Sequence, residues 1–302
     1  MAIMTTATNP KDLWPGIHAH FGLAYNEMPL EYKDLYEIMS SDKAYEEDVE
    51  QTGFGLAPAK PEASSVVFDA DTQGVTQRYT HVVYALGFVV SKEAIEDNLY
   101  ERVATRRTRA LAFSMRQTKE VVAANVYNRA FSGSYLFADG QPLISLTHPT
   151  RSGSQSNRMT VDADLSEAAL ESLLIQIMDA KNSRGLRISL MARKLIVPPQ
   201  LVFEAHRILK SALQSGGANN DTNALKDMGL IPEGVKVNHY LTDPDAWFLR
   251  TNAPNGMTMF QRSNLVFTQD NDFNTENQKA KAMERYSVGC TDWRNIFGSS
   301  GA

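Results

Sequence analysis

Apolar and polar positions change rhythm several times along this chain, and each change marks an element. Residues 1–40 hold no sustained period. Pro10, Pro15 and Pro29 interrupt them, short helical turns fit Leu30–Met39, and the whole reads as an N-terminal arm. Residues 42–50 are acidic and read as a solvated face or a short helix. Ser64–Asp69 then reads as a strand, Ala70–Gly74 as a turn, and Val75–Tyr84 as a return strand rich in β-branched and aromatic residues. The pattern predicts a long two-stranded ribbon. An isolated ribbon is marginal in water, so this one needs a surface to lie on, in its own chain or in a neighbour.

The period then changes from two to 3.6. Neither Gly nor Pro occurs from Phe88 to Ser132. Ser91 suits an N-cap, with Glu93 and Glu96 in the first turns. Tyr100, Ala104, Leu111, Met115, Val122 and Val126 form one apolar stripe. A helix of roughly 40 residues would be about 60 Å long. Arg102, Arg106, Arg107, Arg109 and Arg116 decorate it. Residues 133–160 read as a polar connector without a core of their own. Beyond them the chain mixes α and β. Helices are expected over Leu165–Asn182 and Gln200–Leu213. Strands are expected over Arg187–Val197, Val235–Leu241, Ala246–Thr251, from Leu265 onward, and over Lys281–Val288, with a polar loop at 214–222. No internal repeat is visible. The class is α+β.

Composition narrows the field without naming a function. Apolar residues make up 43% and charged residues 22% of 302, the profile of a soluble protein. A net charge of −5 argues against a dedicated nucleic-acid binder. Cys290 stands alone, which rules out an internal disulfide. The first residues lack the basic region and apolar core of a signal peptide, and no run of about 18 apolar residues offers a membrane span. A soluble protein made in the cytoplasm is the expectation, with no membrane partner.

Candidate chemistry fails on inspection. Gly53-Phe-Gly55 begins like a dinucleotide loop but carries Pro58 at the third glycine, so a plain loop is the reading. Asp69-Ala-Asp71 begins like a calcium loop but has Gln73 at its fifth position and Thr80 at its twelfth. Asp270-Asn-Asp272-Phe-Asn274 fails the same test at Thr275. His18 and His20 lack further ligands for zinc. Cys290, between Gly289 and Thr291, reads as a small buried hydrophobe rather than a nucleophile. Glu93, Glu96, Asp97, Glu101 and Glu120 interleave with the helix arginines, so a solvated or subunit-pairing face is expected there. No catalytic constellation emerges, and no cofactor or metal is expected.

The end of the chain is unusual. Residues 284–299 hold Arg285, Tyr286, Cys290, Trp293, Arg294 and Phe297, where polar tails are the norm. Together with three other stretches it resembles a known family. The passage Tyr79-Thr-His-Val-Val-Tyr-Ala-Leu-Gly-Phe-Val-Val-Ser-Lys-Glu-Ala-Ile-Glu-Asp-Asn-Leu-Tyr100, the strand–Pro-Pro–helix segment Leu195–Leu209, the segment Leu241–Leu249 and the tail Glu284–Ser299 occur in order. They are similar to the major capsid proteins of tailed bacteriophages, specifically the Mu-like major head subunit family, over roughly residues 20–302.

The resemblance implies the tailed-phage major capsid fold. Its parts would be an arm (1–49), an extended β-ribbon loop (50–88), a peripheral domain with the spine helix (89–159), an axial domain (160–265) and a return to the peripheral domain (266–302). It implies a virion protein, assembled in the host cytoplasm, that forms hexamers and pentamers of an icosahedral shell around double-stranded DNA. It further implies a portal and a decoration or cement protein as partners. Residues 1–40 are too short for a scaffolding segment, so the scaffold is expected as a separate protein. Subunit contacts are inferred at Phe68, Arg78, Tyr79 and Tyr84 of the ribbon, Arg106 and Arg109 of the spine, and Asn219 and Asn220 of the axial loop. Tyr286, Trp293, Arg294 and Phe297 of the tail are inferred as further subunit contacts, with Tyr286, Trp293 and Phe297 read as core or interface anchors. Relatives that weld subunits use a Lys at the ribbon tip; residues 64–80 hold none and Lys60 is read at the base, so no covalent crosslinking is expected. The physics agrees: an arm and ribbon that cannot bury themselves become assets in a shell, where many weak contacts add by avidity. A nanocompartment (encapsulin-type) shell of the same fold and a soluble α/β enzyme stay open as alternatives.

Overall fold

The computed structural model describes residues 21–27, 29–93, 100–213, 222–272 and 277–302, with side chains of the long helix described from Arg106 on. His18, His20, Asn219 and Asn220 lie outside the described residues. The arm contributes a helical stretch over 21–26, a short helix α1 (Tyr32–Leu35), and strand β1 (Glu37–Ser40). The ribbon follows, with different legs from those expected. Its outgoing leg is β2 (Tyr45–Gln51), the acidic run itself, paired antiparallel with β3 (Gln73–Thr80). Glu47 stands opposite Arg78, so a charged run is stabilised as a strand by its cross-strand partner. Ser64–Asp69 forms no strand; residues 52–72 are an irregular loop at the ribbon's far end. Lys60 is exposed on that loop and not at the base.

Only His81 separates β3 from β4 (Val82–Val90), the edge of a four-stranded sheet ordered β1-β10-β11-β4, where β10 is Met257–Asn271 and β11 is Gln278–Cys290. Phe88–Val90 pairs with Ala280, Lys279 and Gln278, so β4 runs up to Ser91, the expected N-cap, and Lys92 and Glu93 after it are helical. The long helix α2 is described over Tyr100–Asn128, 29 residues or about 43 Å. Leu111, Ala112 and Met115 pack on Phe267, Ala280 and Ala282 of the sheet and on Phe21 and Ala24 of the arm. Ala123 and Tyr127 join Tyr32, Leu35 and Tyr36 of the arm. One helix therefore braces both the sheet and the arm.

The connector is not outside the core. It holds a small hairpin, β5 (His148–Thr150) and β6 (Gly153–Gln155), and it buries Leu143, Ile144, His148 and Asn157. Polar residues sit inside because their bonds are met: Asn157 Nδ2 donates to the carbonyls of Leu143, Trp293 and Ile296, and its Oδ1 accepts from Ser145 N at 2.8 Å.

The α/β unit follows. Helix α3 (Glu167–Met178), capped by Ser166 Oγ on Ala169 N, buries Leu170, Leu173, Leu174 and Ile177. Strand β7 (Ala192–Val197) runs through Pro198 and a 3₁₀ turn into α4 (Val202–Lys210). After α5 (Ala224–Met228), which ends on Gly229 at φ 60°, β8 (Val235–Val237) lies parallel to β7 and β9 (Trp247–Thr251) antiparallel to it. The chain then makes two long strands of the first sheet, β10 (Met257–Asn271) and β11 (Gln278–Cys290). As expected for the last predicted strand, β11 pairs with β4 and packs on α2. The last strand does not stay there. A 3₁₀ turn at Trp293–Asn295 turns the chain, and β12 (Ile296–Ser299) pairs with β9, so the C-terminal strand completes the α/β sheet. Gly298 permits this: a Cβ there would meet Trp247 O at 2.9 Å.

Candidate assembly surfaces

Two internal anchors hold the projecting parts to the body. The first joins arm, helix and sheet. Lys119 Nζ lies 3.0 Å from Glu284 Oε2 and 2.8 Å from Gln261 Oε1, all at the helix–sheet contact. Glu120 Oε2 accepts from Tyr32 N at 2.8 Å, and the Arg116 guanidinium covers the Tyr25 ring at 3.9 Å. Burial pushes the Glu120 carboxyl up to about 7, against the pull of its bond from Tyr32 N. Burial also raises Glu284 and lowers Lys119, while the pair's mutual attraction opposes both. The arm is thus seated on charges taken out of water.

The second anchor straps the ribbon to the α/β side of the molecule. Arg294 is buried and donates to Glu50 Oε1 at 2.9 Å, Asp292 Oδ1 at 3.1 Å and Lys181 O at 2.9 Å; Glu50 also accepts from Ser183 Oγ. Further out, Arg184 pairs with Asp69 and donates to Ala70 O, and Arg151 donates to Thr72 Oγ1. The loop closes on itself through Gly53 N to Asp71 Oδ1 and Gly55 N to Asp69 Oδ2, both 2.8 Å. The aspartates that resembled a calcium loop are therefore ligands of backbone and arginine.

Between these anchors the molecule leaves apolar surface bare. Phe54, Leu56, Val66, Val67 and Phe68 of the ribbon loop are exposed, Phe68 to 93%. Val82, Val83, Leu86 and Val89 of β4 are each about half exposed. A soluble monomer seldom leaves contiguous apolar residues uncovered, and such patches mark interaction sites.

The inferred contact residues separate into two groups. Phe68, Arg106 and Arg109 are exposed, Arg109 holding Glu27 at 2.8 Å. Arg78 is half spent inside the ribbon, 3.8 Å over the Tyr45 ring. Tyr84 stacks on Tyr286 at 4.7 Å and is partly buried. Tyr79, Tyr286, Trp293, Arg294 and Phe297 are internal to the subunit. Tyr79 is not a surface contact because its hydroxyl bonds Thr291 at 2.7 Å and its ring lies against Gly289, where a Cβ would meet it at 2.7 Å. Trp293 stacks on His148 at 4.4 Å, and Phe297 fills the α/β core beside Trp247 and Leu249. Arg294 is withdrawn from any interface by the carboxylates it neutralises. Sequence reasoning missed Glu50, Arg184, His148 and Asn157. The only local signal for them was polar residues beside apolar ones in segments lacking a period.

The arrangement offers little to a substrate. The groove between α2 and β11, about 640 Å³, is lined by Tyr84, Val122, Val126, Phe137 and Cys290 among others. Burial pushes the Cys290 thiol well up, and it donates to Asp292 O, so it is no thiolate. Among the described residues no group of three His, Cys, Asp or Glu is placed to hold a metal ion, and no helix is long and apolar enough to cross a membrane.

Known proteins place this geometry. No curated protein sequence matches the chain. Solved structures share its fold at low identity. A virus-like particle from Pyrococcus furiosus matches with a TM-score of 0.54 at 10% identity, over 94% of this chain and 97% of that one. The capsid of a native GTA particle matches at 0.54 and 12%, over 90% of each chain. Mycobacterium phage Che8 matches at 0.51 and 12%, over 92% and 96%. The family model described as phage capsid protein matches residues 74–298, from the ribbon's return leg to β12. The chain belongs to the phage capsid protein family: it is a structural shell subunit of the virion, with the tailed-phage capsid fold, and not an enzyme.

Proposed function

We propose that this subunit assembles as hexamers and pentamers into an icosahedral head that encloses packaged double-stranded DNA, as the major head protein of a Mu-like phage. In this reading the α/β unit is the axial domain, with the 214–222 loop at the capsomer centre. The helix-and-sheet unit is the peripheral domain, and the ribbon lies across a neighbour. Phe68, Arg78, Tyr84, Arg106, Arg109, Asn219 and Asn220 remain the proposed contact positions. Assembly takes place in the host cytoplasm with a separate scaffolding protein. A portal occupies one vertex, and a decoration or cement protein is a further partner. DNA is held without sequence-specific contacts, consistent with a net charge of −5.

The observation that carries the reading is the bare apolar ribbon loop, fixed at its base by the pair of buried Arg294 with Glu50. A loop so anchored is stabilised in place yet has nothing of its own to cover it. Sedimentation velocity with negative-stain microscopy on the expressed chain tests the proposal: capsomers, tubes or shells are expected, and a stable monomer or dimer would refute it. The fold is shared with a virus-like particle as well as phage particles. Shell contents therefore separate the phage reading, with DNA inside, from the nanocompartment reading, with protein cargo.

A further inference from the structure

Among the described residues, two parts of this chain have strand character and leave pairing capacity unused. The first is β4. It forms one edge of its sheet, with β11 as its only paired strand among the described residues, and Arg107 Nη1 donates to Val89 O near its end. Its nine residues, Val82-Val-Tyr-Ala-Leu-Gly-Phe-Val-Val90, contain no charge and no Pro. Native edge strands are normally blunted by Lys, Pro, bulges or shortness, because an open edge pairs with whatever strand it meets. Here β4 keeps unbroken register with β11 from Val82 to Val90. Leu86 and Val83 stand half exposed along it.

The second is Ser64-Ser-Val-Val-Phe68. Its composition is that of a strand, yet no strand forms there. It is also uncharged, and Val66, Val67 and Phe68 are all exposed. Its ends are held. Ala63 turns the chain at φ 62°, and Asp69 is paired to Arg184. The segment is therefore presented rather than buried.

We propose that segment 64–68 of one subunit adds as a strand to the open edge of β4 in a second copy of this chain. Main-chain hydrogen bonds would supply affinity and the alternating apolar side chains specificity, as in strand addition generally. Matching neutrality favours this pairing: a charged strand would bring unpaired charges against nine apolar or neutral residues. The segment lies in the loop at the ribbon's far end, and the eight residues of β3, about 26 Å of strand, run between that loop and the start of its own β4. This inference rests on the capsid reading above and names the contact by which the ribbon holds its neighbour.

The test places the photo-crosslinking residue p-benzoylphenylalanine at Val67 and assembles the protein as a mixture of isotope-labelled and unlabelled chains. Mass spectrometry of irradiated particles is expected to find mixed-label adducts within residues 82–90. Particles whose adducts lie elsewhere, or within one chain, overturn the pairing while leaving the capsid reading intact. Failure to form particles at all removes the capsid reading and the pairing with it. A second variant, Leu86→Lys, puts a charge on the edge. It is expected to melt within a few degrees of the parent and to yield about tenfold fewer particles, the effect of one unpaired charge at the contact. Val83→Lys replaces it if Leu86→Lys does not fold. Particle yield equal to the parent's from a folded variant overturns the proposal.

Discussion

The two four-stranded sheets of this subunit finish their edges in opposite ways. The sheet of the α/β unit, ordered β12-β9-β7-β8, has short edges of four and three residues. Its β12 edge is covered from within, by Gly298 N donating to Asn157 O and Ser299 Oγ donating to Ala163 O. All four β12 residues are buried. The other sheet ends on β4, nine residues long, neutral and half exposed. Both sheets have the same strand count and similar apolar content, so hydrophobicity alone does not explain the difference. One sheet is completed by its own chain. The other ends on an edge that its own chain leaves open among the described residues, and the strand addition proposed above would complete it.

Substitutions can break this contrast. The largest effect is expected at the strap. Arg294→Ala leaves Glu50 and Asp292 without their buried partner and should cost about 3–5 kcal/mol in denaturant unfolding. A cost near zero would show that the ribbon is not fixed to the body this way. Phe297→Ala empties the closed sheet's core and should cost about 3–5 kcal/mol by the same measurement. If it is silent, β12 does not complete that sheet.

The arm's seat adds a pH dependence. The Glu120 carboxyl stands at about 7 in the fold against an ordinary 4.5, so the folded chain binds more protons between those values. Stability should therefore fall as pH rises from about 4.5 to about 7. Glu120→Gln fixes the neutral form. It should flatten the slope between pH 5 and 8 and exceed the parent's stability at pH 8, measured as urea midpoints. An unchanged slope would remove Glu120 as its source. The smallest effect on stability is expected at the open surface. Phe68→Ala should stay within about 0.5 kcal/mol of the parent as a monomer while weakening assembly. A large loss of monomer stability would mean that the loop is packed in its own subunit.

Legibility in the sequence followed the reach of each interaction. The strand–Pro-Pro–helix passage from Ala192 to Lys210 was readable because its signals are local: an apolar run, a break at Pro198, and Ala205 and Ile208 on one helix face. The long helix was readable from its stripe and from Ser91 as its cap, with Lys92 and Glu93 helical; the strand before it was read only to Tyr84, because Ala85–Val90 shows no alternation until β11 is known to lie beside it. Strand β2 was hidden for a different reason. Both faces of the ribbon are wet, so Glu46, Glu47 and Asp48 show no alternation, and only the distant Arg78 and Gln77 make them a strand. His148 and Asn157 were invisible because a buried polar residue is defined by bonds to remote carbonyls such as those of Trp293 and Ile296. Phe68 was named from sequence as a contact, but its segment was read as a strand, because Val66, Val67 and Phe68 have strand composition and nothing local shows that no partner strand lies beside them. The internal roles of Tyr79 and Arg294 were not legible, since aromatic and Arg residues suit interfaces and satisfied cores alike.

The most direct test of the central claim is the size of the particle. Sedimentation velocity of the purified chain across a rising concentration series, with electron micrographs of the fastest fraction, should show capsomers passing into tubes or closed shells. A compact monomer or dimer that persists at every concentration, with or without a scaffolding protein, would contradict the account.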